Sequence, residues 1–423
     1  TKHEHPRLTL VSQFFPPDFA ATGQLLDDLS RRLAERGLQV QVFTGMPAYA
    51  YNSADAERLT FEINRCVRRS LASRLWPQRI RGRAVNGLIF CARVAIRLLR
   101  AARRGDLLLY TTEPPYLPIV GWLVHRLTGT PYIVLLYDLY PDVLVELKVL
   151  PANHPIVRLW RRLNALVLRD AAELIVLSEP MAERLRAHLP PSQPSLAAKL
   201  HVIPSWADPA EIEPRPRDNN WFVLRHHLQH SFTVLYSGNQ GRCHDLVTLL
   251  GAALILRHET QIRFLFVGKG PQNGRLRQLV HDWNLPNCTF LPYQDLDALP
   301  FSLTAAHLAV VSLGIEAEGL VAPSKLYGHL AAGTPIAAIT PAGSYLRQLV
   351  EQHHCGRWFA NGDSPGLADW IRHLVAHPAE AAGLGRSARD LLLTSASPDL
   401  ITHQYLDVIR PHLPQAKLEQ LQA

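Results

Sequence analysis

The chain has 423 residues, more than one α/β core usually holds, so two domains are expected. A hydrophobic share of 47% with 19% charged residues excludes a disordered chain. Five widely spaced cysteines without a C-x-x-C pair speak against a disulfide framework or a structural zinc site. The formal charge of +8 is unevenly spread, with twelve arginines between Arg65 and Arg104. Such a surface suits phosphates, an acidic polymer or an anionic membrane face. Nucleic acid is not expected, because no recognition motif accompanies the charge. The N-terminal residues are charged and lead straight into a strand pattern, so no signal peptide is read there. No run of about 18 apolar residues suggests a spanning helix. The expected location is cytoplasmic, with peripheral contact to the inner face of the cell membrane through 65–104 as a further expectation.

The chain opens with a β-rich run, Leu8–Ser12, then a loop ending in Gly23. Leu25, Leu26, Leu29 and Leu33 follow at helical spacing, Gly37 stops the helix, and Val40–Thr44 is the next strand. The βα alternation recurs with strands at Asp106–Tyr110, Tyr132–Tyr137, Leu174–Leu177 and His201–Ile203. Helices at Leu117–Leu127, Ile156–Arg169 and Glu179–His188 lie between them. Alternation of this kind implies an α/β fold whose parallel sheet is covered on both faces. The polar, proline-bearing stretch Ala207–Asn220 reads as an interdomain linker. After a short helix at Trp221–Leu228 a second βα series begins at Phe232–Tyr236 and continues to Ile336–Ile339. The expected domains are 1–206 and 207–398, with an amphipathic helix at Asp399–Leu413 inside the remaining segment, 399–423.

Candidate site residues fall where strands give way to helices, because parallel sheets bind ligands at the C-terminal ends of their strands. Gly23 would let backbone N–H groups approach a phosphate at a helix start, or would merely shape a turn. Gly238, Asn239, Gly241, Arg242 and His244 lie together in Tyr236-Ser-Gly-Asn-Gln-Gly-Arg-Cys-His244. They suit a pyrophosphate cradle, the alternative being an ordinary tight turn. Gly268 and Gly270 resemble part of a dinucleotide fingerprint, but Pro271 follows them and they stand in the second βα unit. A turn lining a base or ribose pocket is expected there instead of an NAD site. Ser324 and Lys325 open a helix after a glycine loop; Ser324 reads as its cap and both residues suit a diphosphate. Asp138 ends a buried apolar strand and is a candidate base, acceptor-hydroxyl ligand or turn cap. The pair Asp295 and Asp297 reads as helix capping, so no metal is expected.

Taken in order, these motifs resemble the family-4 retaining glycosyltransferases over nearly the whole chain. The resemblance rests on Phe15-Pro-Pro17 through Gly23, Leu33–Val40, Val202-Ile-Pro-Ser-Trp-Ala-Asp208, Gly238–Gly241, Phe266–Gly270, Pro323–Tyr327 and Ala331–Pro335. Asp138-Leu-Tyr-Pro-Asp142 resembles a surface-polysaccharide branch that includes N-acetyl-fucosamine transferase-like members. The resemblance implies a GT-B fold, with two Rossmann-like domains facing across a cleft and the closing helix returning to the first. It implies transfer of a sugar, with retention, from a nucleotide-diphosphate donor, a UDP-sugar, to the hydroxyl of a saccharide or lipid-linked acceptor. No cofactor is implied. Asp138, Arg242 and Lys325 are then the catalytic candidates. Gly23, Gly238, Asn239, Gly241, His244, Gly268, Gly270, Glu318 and Ser324 are the donor-binding candidates.

The chain also departs from the family. Of the paired glutamates usual in its fourth motif, the second falls at Gly328, and Glu316 and Glu318 compete for the place of the first. The usual arginine and lysine of the second motif fall at Asn239 and His244, and a usual histidine falls at Tyr137. The sequence therefore leaves open a sugar-nucleotide epimerase on the same scaffold and a catalytically inactive binding partner.

Overall fold

The computed structural model describes residues 7–18, 20–46, 56–71, 80–101, 106–187 and 197–413, the side chains at 80, 81 and 83 excepted. The chain divides into two compact units, Thr1–Pro204 with Ile401–Ala423, and Ser205–Leu400.

The first unit is built on eight strands: β1 (Arg7–Val11), β2 (Gln39–Gly45), β3 (Leu59–Glu62), β4 (Arg65–Ser70), β5 (Leu107–Thr111), β6 (Tyr132–Leu136), β7 (Glu173–Val176) and β8 (Leu200–Val202). Their order in the sheet is β3-β4-β2-β1-β5-β6-β7-β8. All neighbours run parallel except β3 and β4, which form an antiparallel hairpin at the edge. Every residue of β5 and β6 is buried, as expected of central strands covered on both faces. Each large side chain buried there stabilises the fold by about 1.5–3 kcal/mol. The helices Ile80–Ala101, Leu117–Thr128 and Pro155–Asp170 pack side by side. The closing helix, Pro398–Ile409, carries the chain back into the first unit, where His412 Nε2 meets Glu173 Oε1 at 2.8 Å.

The edge hairpin was not read from the sequence, and it changes the meaning of the arginine-rich segment. Arg65 is buried; it pairs with Asp27, donates through Nε to Ser30 Oγ at 2.9 Å and reaches Glu62 Oε2 at 2.8 Å. Arg69 donates to the Pro16 carbonyl at 2.9 Å. These two arginines tie β4 to the helix Ala21–Glu35 and to the β1 loop instead of forming a basic surface. The helix Ile80–Ala101 buries one stripe of its surface and exposes the rest. Phe90, Cys91, Val94 and Leu98 are buried at helical spacing, whereas Ala92, Ile96 and Leu99 are exposed beside Arg93, Arg97 and Arg100. The buried stripe is set by packing within the unit. Of the segment 65–104 expected to meet a membrane, residues 72–79 and 102–104 lie outside the described residues.

The second unit has six parallel strands: β9 (Phe232–Ser237), β10 (Ile262–Val267), β11 (Cys288–Leu291), β12 (Leu308–Ser312), β13 (Ile336–Ile339) and β14 (Gly356–Phe359). Their order is β11-β10-β9-β12-β13-β14. The stretch Ala207–Asn220, read as a linker, is bound to this unit. Ile212 enters its core, Arg389 donates to the carbonyls of Ile212 and Pro209 at 2.6 and 2.8 Å, and Arg217 donates to that of Leu228 at 2.6 Å.

Each sheet has one place where consecutive connections depart in opposite directions. It lies between β1 and β5 in the first unit and between β9 and β12 in the second. Loops leaving the strands there open a crevice, which is where ligands bind in open α/β sheets.

Candidate active site

In the second unit the loops after β9 and β12 carry most of the donor-binding candidates to that crevice. Gly238 adopts φ +130°, and Gly268, at the end of neighbouring β10, adopts φ +121°. A Cβ on Gly268 would stand 2.2 Å from the Gly238 carbonyl oxygen, and one on Gly270 would stand 2.5 Å from that of Gln240. Gly268 and Gly270 thus serve the close packing of two loops. Gln240 N donates to Lys269 O at 2.9 Å, and Gln272 N to Gln240 O at 3.1 Å.

Lys325 reaches into this loop from the start of the helix Lys325–Ala331. Its Nζ lies 2.5 Å from Tyr236 Oη, 3.2 Å from His244 Nε2 and 3.5 Å from the Asn239 carbonyl oxygen. It also stands 4.3 Å from the centre of the Tyr236 ring, a cation–π distance. Tyr236 Oη in turn donates to Asn239 O at 2.7 Å. Among the described residues no carboxylate pairs with this ammonium. Burial brings its pKa down to about 7. A charge held by neutral acceptors, without a counter-ion, is an arrangement suited to receive an anion.

The other candidates are placed differently. Arg242 lies on the same loop but is exposed. Ser324 makes no capping hydrogen bond; with φ −61° and ψ −25° it is already helical and so cannot turn its hydroxyl onto the first amides. At the helix after the β9 loop, Val247–Ile255, Asp245 occupies the N-terminus. Asp245 Oδ1 accepts from Thr248 N at 3.1 Å and Oδ2 from Thr248 Oγ1 at 2.6 Å. Burial raises the pKa of Glu318, while the nearby Ser344 hydroxyl and Tyr345 amide, at the start of the helix Tyr345–Gln352, act in the opposite direction. At Gly328 a Cβ would come within 3.0 Å of Leu303 Cδ1. Asp295 is likewise not a side-chain cap: its backbone oxygen, not its carboxylate, accepts from Ala298 N at 2.9 Å.

In the first unit the corresponding loops carry carboxyl groups. Asp138 follows β6, and its amide and that of Tyr137 donate to Thr112 Oγ1 at 3.4 and 3.1 Å. Burial pushes its pKa up to about 6. Glu113, in the loop after β5, is a further carboxyl group that the motifs do not single out. Its Oε2 accepts from Thr22 Oγ1 at 2.6 Å, in the first turn of Ala21–Glu35. Burial, against that hydrogen bond and with Asp138 and Asp18 adding to it, raises Glu113 to about 7. The signal lay in its position, directly after a buried apolar strand and before a proline. Gly23 sits in the same helical turn, where a Cβ would meet Phe15 N at 2.9 Å. Its missing side chain lets the helix start pack against the β1 loop.

Two parallel-sheet units, each with polar loops at its crevice, have the architecture of the GT-B glycosyltransferases. A family model described as a glycosyl transferase 4-like domain matches residues 22–206, and one described as glycosyl transferases group 1 matches residues 231–377. The chain belongs to the family-4 glycosyltransferases and is a glycosyltransferase. It is 25% identical over 324 residues to a probable glycosyltransferase, WbjE, of Pseudomonas aeruginosa, covering 77% of this chain and 79% of that one. It is 35% identical over 160 residues to a putative colanic acid biosynthesis glycosyl transferase, WcaI, of Escherichia coli, covering 37% and 38%. Among solved structures, Anabaena HepE in complex with UDP and glucose matches with a TM-score of 0.72 at 16% identity, over 96% of this chain and all of that one. That likeness is one of fold.

Proposed function

We propose that the protein moves a sugar, with retention, from a UDP-sugar to an acceptor hydroxyl during synthesis of a surface polysaccharide or glycolipid. The observation that carries this reading is the Lys325 ammonium, held by Tyr236, His244 and Asn239 at the crevice of the second sheet with no paired carboxylate among the described residues. Cleaving the anomeric C–O bond leaves added negative charge on the departing diphosphate, and a preorganised cation stabilises that charge as it forms. Gly238, Asn239 and Gly241 shape the loop around it, Arg242 adds charge at its exposed side, and Ser324 and Glu318 complete the donor side. Binding of UDP and glucose by HepE supports the donor class, and the name of WcaI supports a polysaccharide role. On the first unit, Asp138 serves as the group next to the acceptor hydroxyl, with Glu113 beside it.

A lipid-linked acceptor would bring the first unit to a membrane. Three adjacent helices leave large apolar side chains exposed, among them Leu88, Ile96, Leu123, Leu127, Ile156 and Leu159. Exposed Arg93, Arg97 and Arg126 lie on two of the same helices. Mixed apolar and basic surface of this kind suits the headgroup region of an anionic bilayer. Among the described residues no helix is long and apolar enough to cross a membrane. Incubation with a panel of UDP-, GDP- and TDP-sugars, followed by assay of free nucleotide, tests the proposal. Release is expected from a UDP-sugar; release from none of the panel would overturn the reading.

A further inference from the structure

His244 stands where the family usually carries a cation, and the sequence alone suggests that it touches the donor. Its surroundings indicate otherwise. Nδ1 lies 2.7 Å from the carbonyl oxygen of Ser312, the last residue of β12. A carbonyl only accepts, so Nδ1 carries a proton. In the neutral ring Nε2 then has a lone pair, and that lone pair faces Lys325 Nζ at 3.2 Å. An imidazolium would instead present an N–H to an ammonium, both donors and both positive.

Lys325 has three N–H groups and three neutral acceptors: Tyr236 Oη, His244 Nε2 and Asn239 O. The loop holding two of them is itself braced: His244 O accepts from Gln272 Nε2 at 2.9 Å, and Cys243 O accepts from Gly314 N at 2.8 Å. Beyond Tyr236, the titratable groups around the pair are Cys243 on the same loop, Tyr293 behind Tyr236, and His329 one turn along the lysine helix. Burial keeps His244 neutral, its pKa brought down to about 3, with the Lys325 charge acting in the same direction. His329, fully buried, is brought down to about 3 by burial first and Lys325 second.

Resting on the reading of Lys325 as the diphosphate cation, we propose that His244 is a positioning residue. It holds the Lys325 ammonium through a neutral imidazole whose tautomer Ser312 fixes, and it does not bind the donor phosphates. The imidazole thereby supplies an acceptor at this place, and the buried charge beside it is that of Lys325. Of the three contacts, that to Asn239 O is the longest. It is the one a phosphate oxygen would displace, leaving the tyrosine and histidine to aim the remaining N–H groups.

Nitrogen-15 spectra of histidine-labelled protein without ligand test this directly, with His244 assigned by the signal lost in His244→Gln. The expected result is a neutral ring protonated at Nδ1 from pH 8 to pH 5. An imidazolium at pH 6, or a ring protonated at Nε2 alone, would overturn the inference. Titration with UDP supplies the second measurement. His244→Gln keeps an acceptor and should bind UDP within about 3-fold of the parent, whereas His244→Phe should lose more than 10-fold. An equal loss in both would show that the imidazole itself touches the phosphates. A protein with the neutral Nδ1–H ring that binds no UDP would support the positioning role while contradicting the donor reading on which Lys325 was chosen.

Discussion

The Thr22 hydroxyl donates to the Glu113 carboxyl across 2.6 Å, joining the first turn after β1 to the loop after β5. Residues 91 positions apart in sequence thus meet at the point where the connections of the first sheet diverge. Asp138, from the loop after β6, adds its charge to the same neighbourhood.

The carboxyl groups make stability depend on pH. Glu113 titrates near 7 and Asp138 near 6, against about 4.3 and 3.9 in an unfolded chain. The folded state therefore binds more protons between these limits, and stability is lost as pH rises from about 4 to 7. Glu113→Gln should lessen that loss and melt later than the parent at pH 8. Both groups keep some solvent contact, so a gain on the order of 1 kcal/mol, or roughly 2–4 °C, is expected. Melting curves at pH 5 and pH 8 check it; an equal pH dependence in parent and variant would remove the carboxyl from this role.

Lys325→Met should leave the fold intact and impair turnover. A charge-assisted contact to the leaving diphosphate contributes about 1.5–3 kcal/mol. The corresponding loss in kcat/KM is roughly 10- to 100-fold. Because the free ammonium titrates near 7, UDP affinity should also weaken as pH rises above neutrality in the parent protein. That dependence should be diminished in the variant.

The arginines of the basic segment should separate into two groups. Arg65→Ala removes a buried guanidinium from Asp27 and Ser30 and should destabilise by about 2–3 kcal/mol. Replacing Arg93, Arg97 and Arg100 together with Gln should change stability little but reduce sedimentation with anionic vesicles. Exposed basic residues contribute about 1 kcal/mol each near such a surface, and salt screens them over about 8 Å. Equal binding to neutral and anionic vesicles, or binding to neither, would leave this face as ordinary surface.

Transfer should persist in EDTA. The donor diphosphate has Lys325 and Arg242 available, and Asp295 and Asp297 are both exposed. Loss of turnover in chelator, restored by Mn²⁺ or Mg²⁺, would return those two aspartates to consideration.

Much of the fold was legible because buried parallel strands read as apolar runs. Leu107–Tyr110 and Tyr132–Leu136 announce themselves in this way. The hairpin Leu59–Ser70 did not, because Arg65, Arg68 and Arg69 break its pattern and Arg65 is buried only by virtue of partners in another element. The loops of the second unit were found from their glycines, but what those glycines do was not. The approach of Gly268 to Gly238 is a contact between neighbouring strand ends and leaves no mark within either motif. Likewise Lys325 was singled out at a helix start, while its partner Tyr236 lies 89 residues away and was read only as the end of a strand. Glu113 escaped because a single carboxyl in an apolar stretch has no periodicity of its own.

The retaining transfer is tested by the anomeric configuration of the sugar transferred from a UDP-sugar, followed by proton NMR from the first turnovers. Retention predicts that the new glycosidic bond has the same anomeric configuration as the donor. It further predicts that UDP accumulates in step with product, and that both signals fall together in Lys325→Met. A product of inverted configuration would contradict the retaining mechanism, and an intact UDP-sugar epimer in place of free UDP would contradict transfer itself.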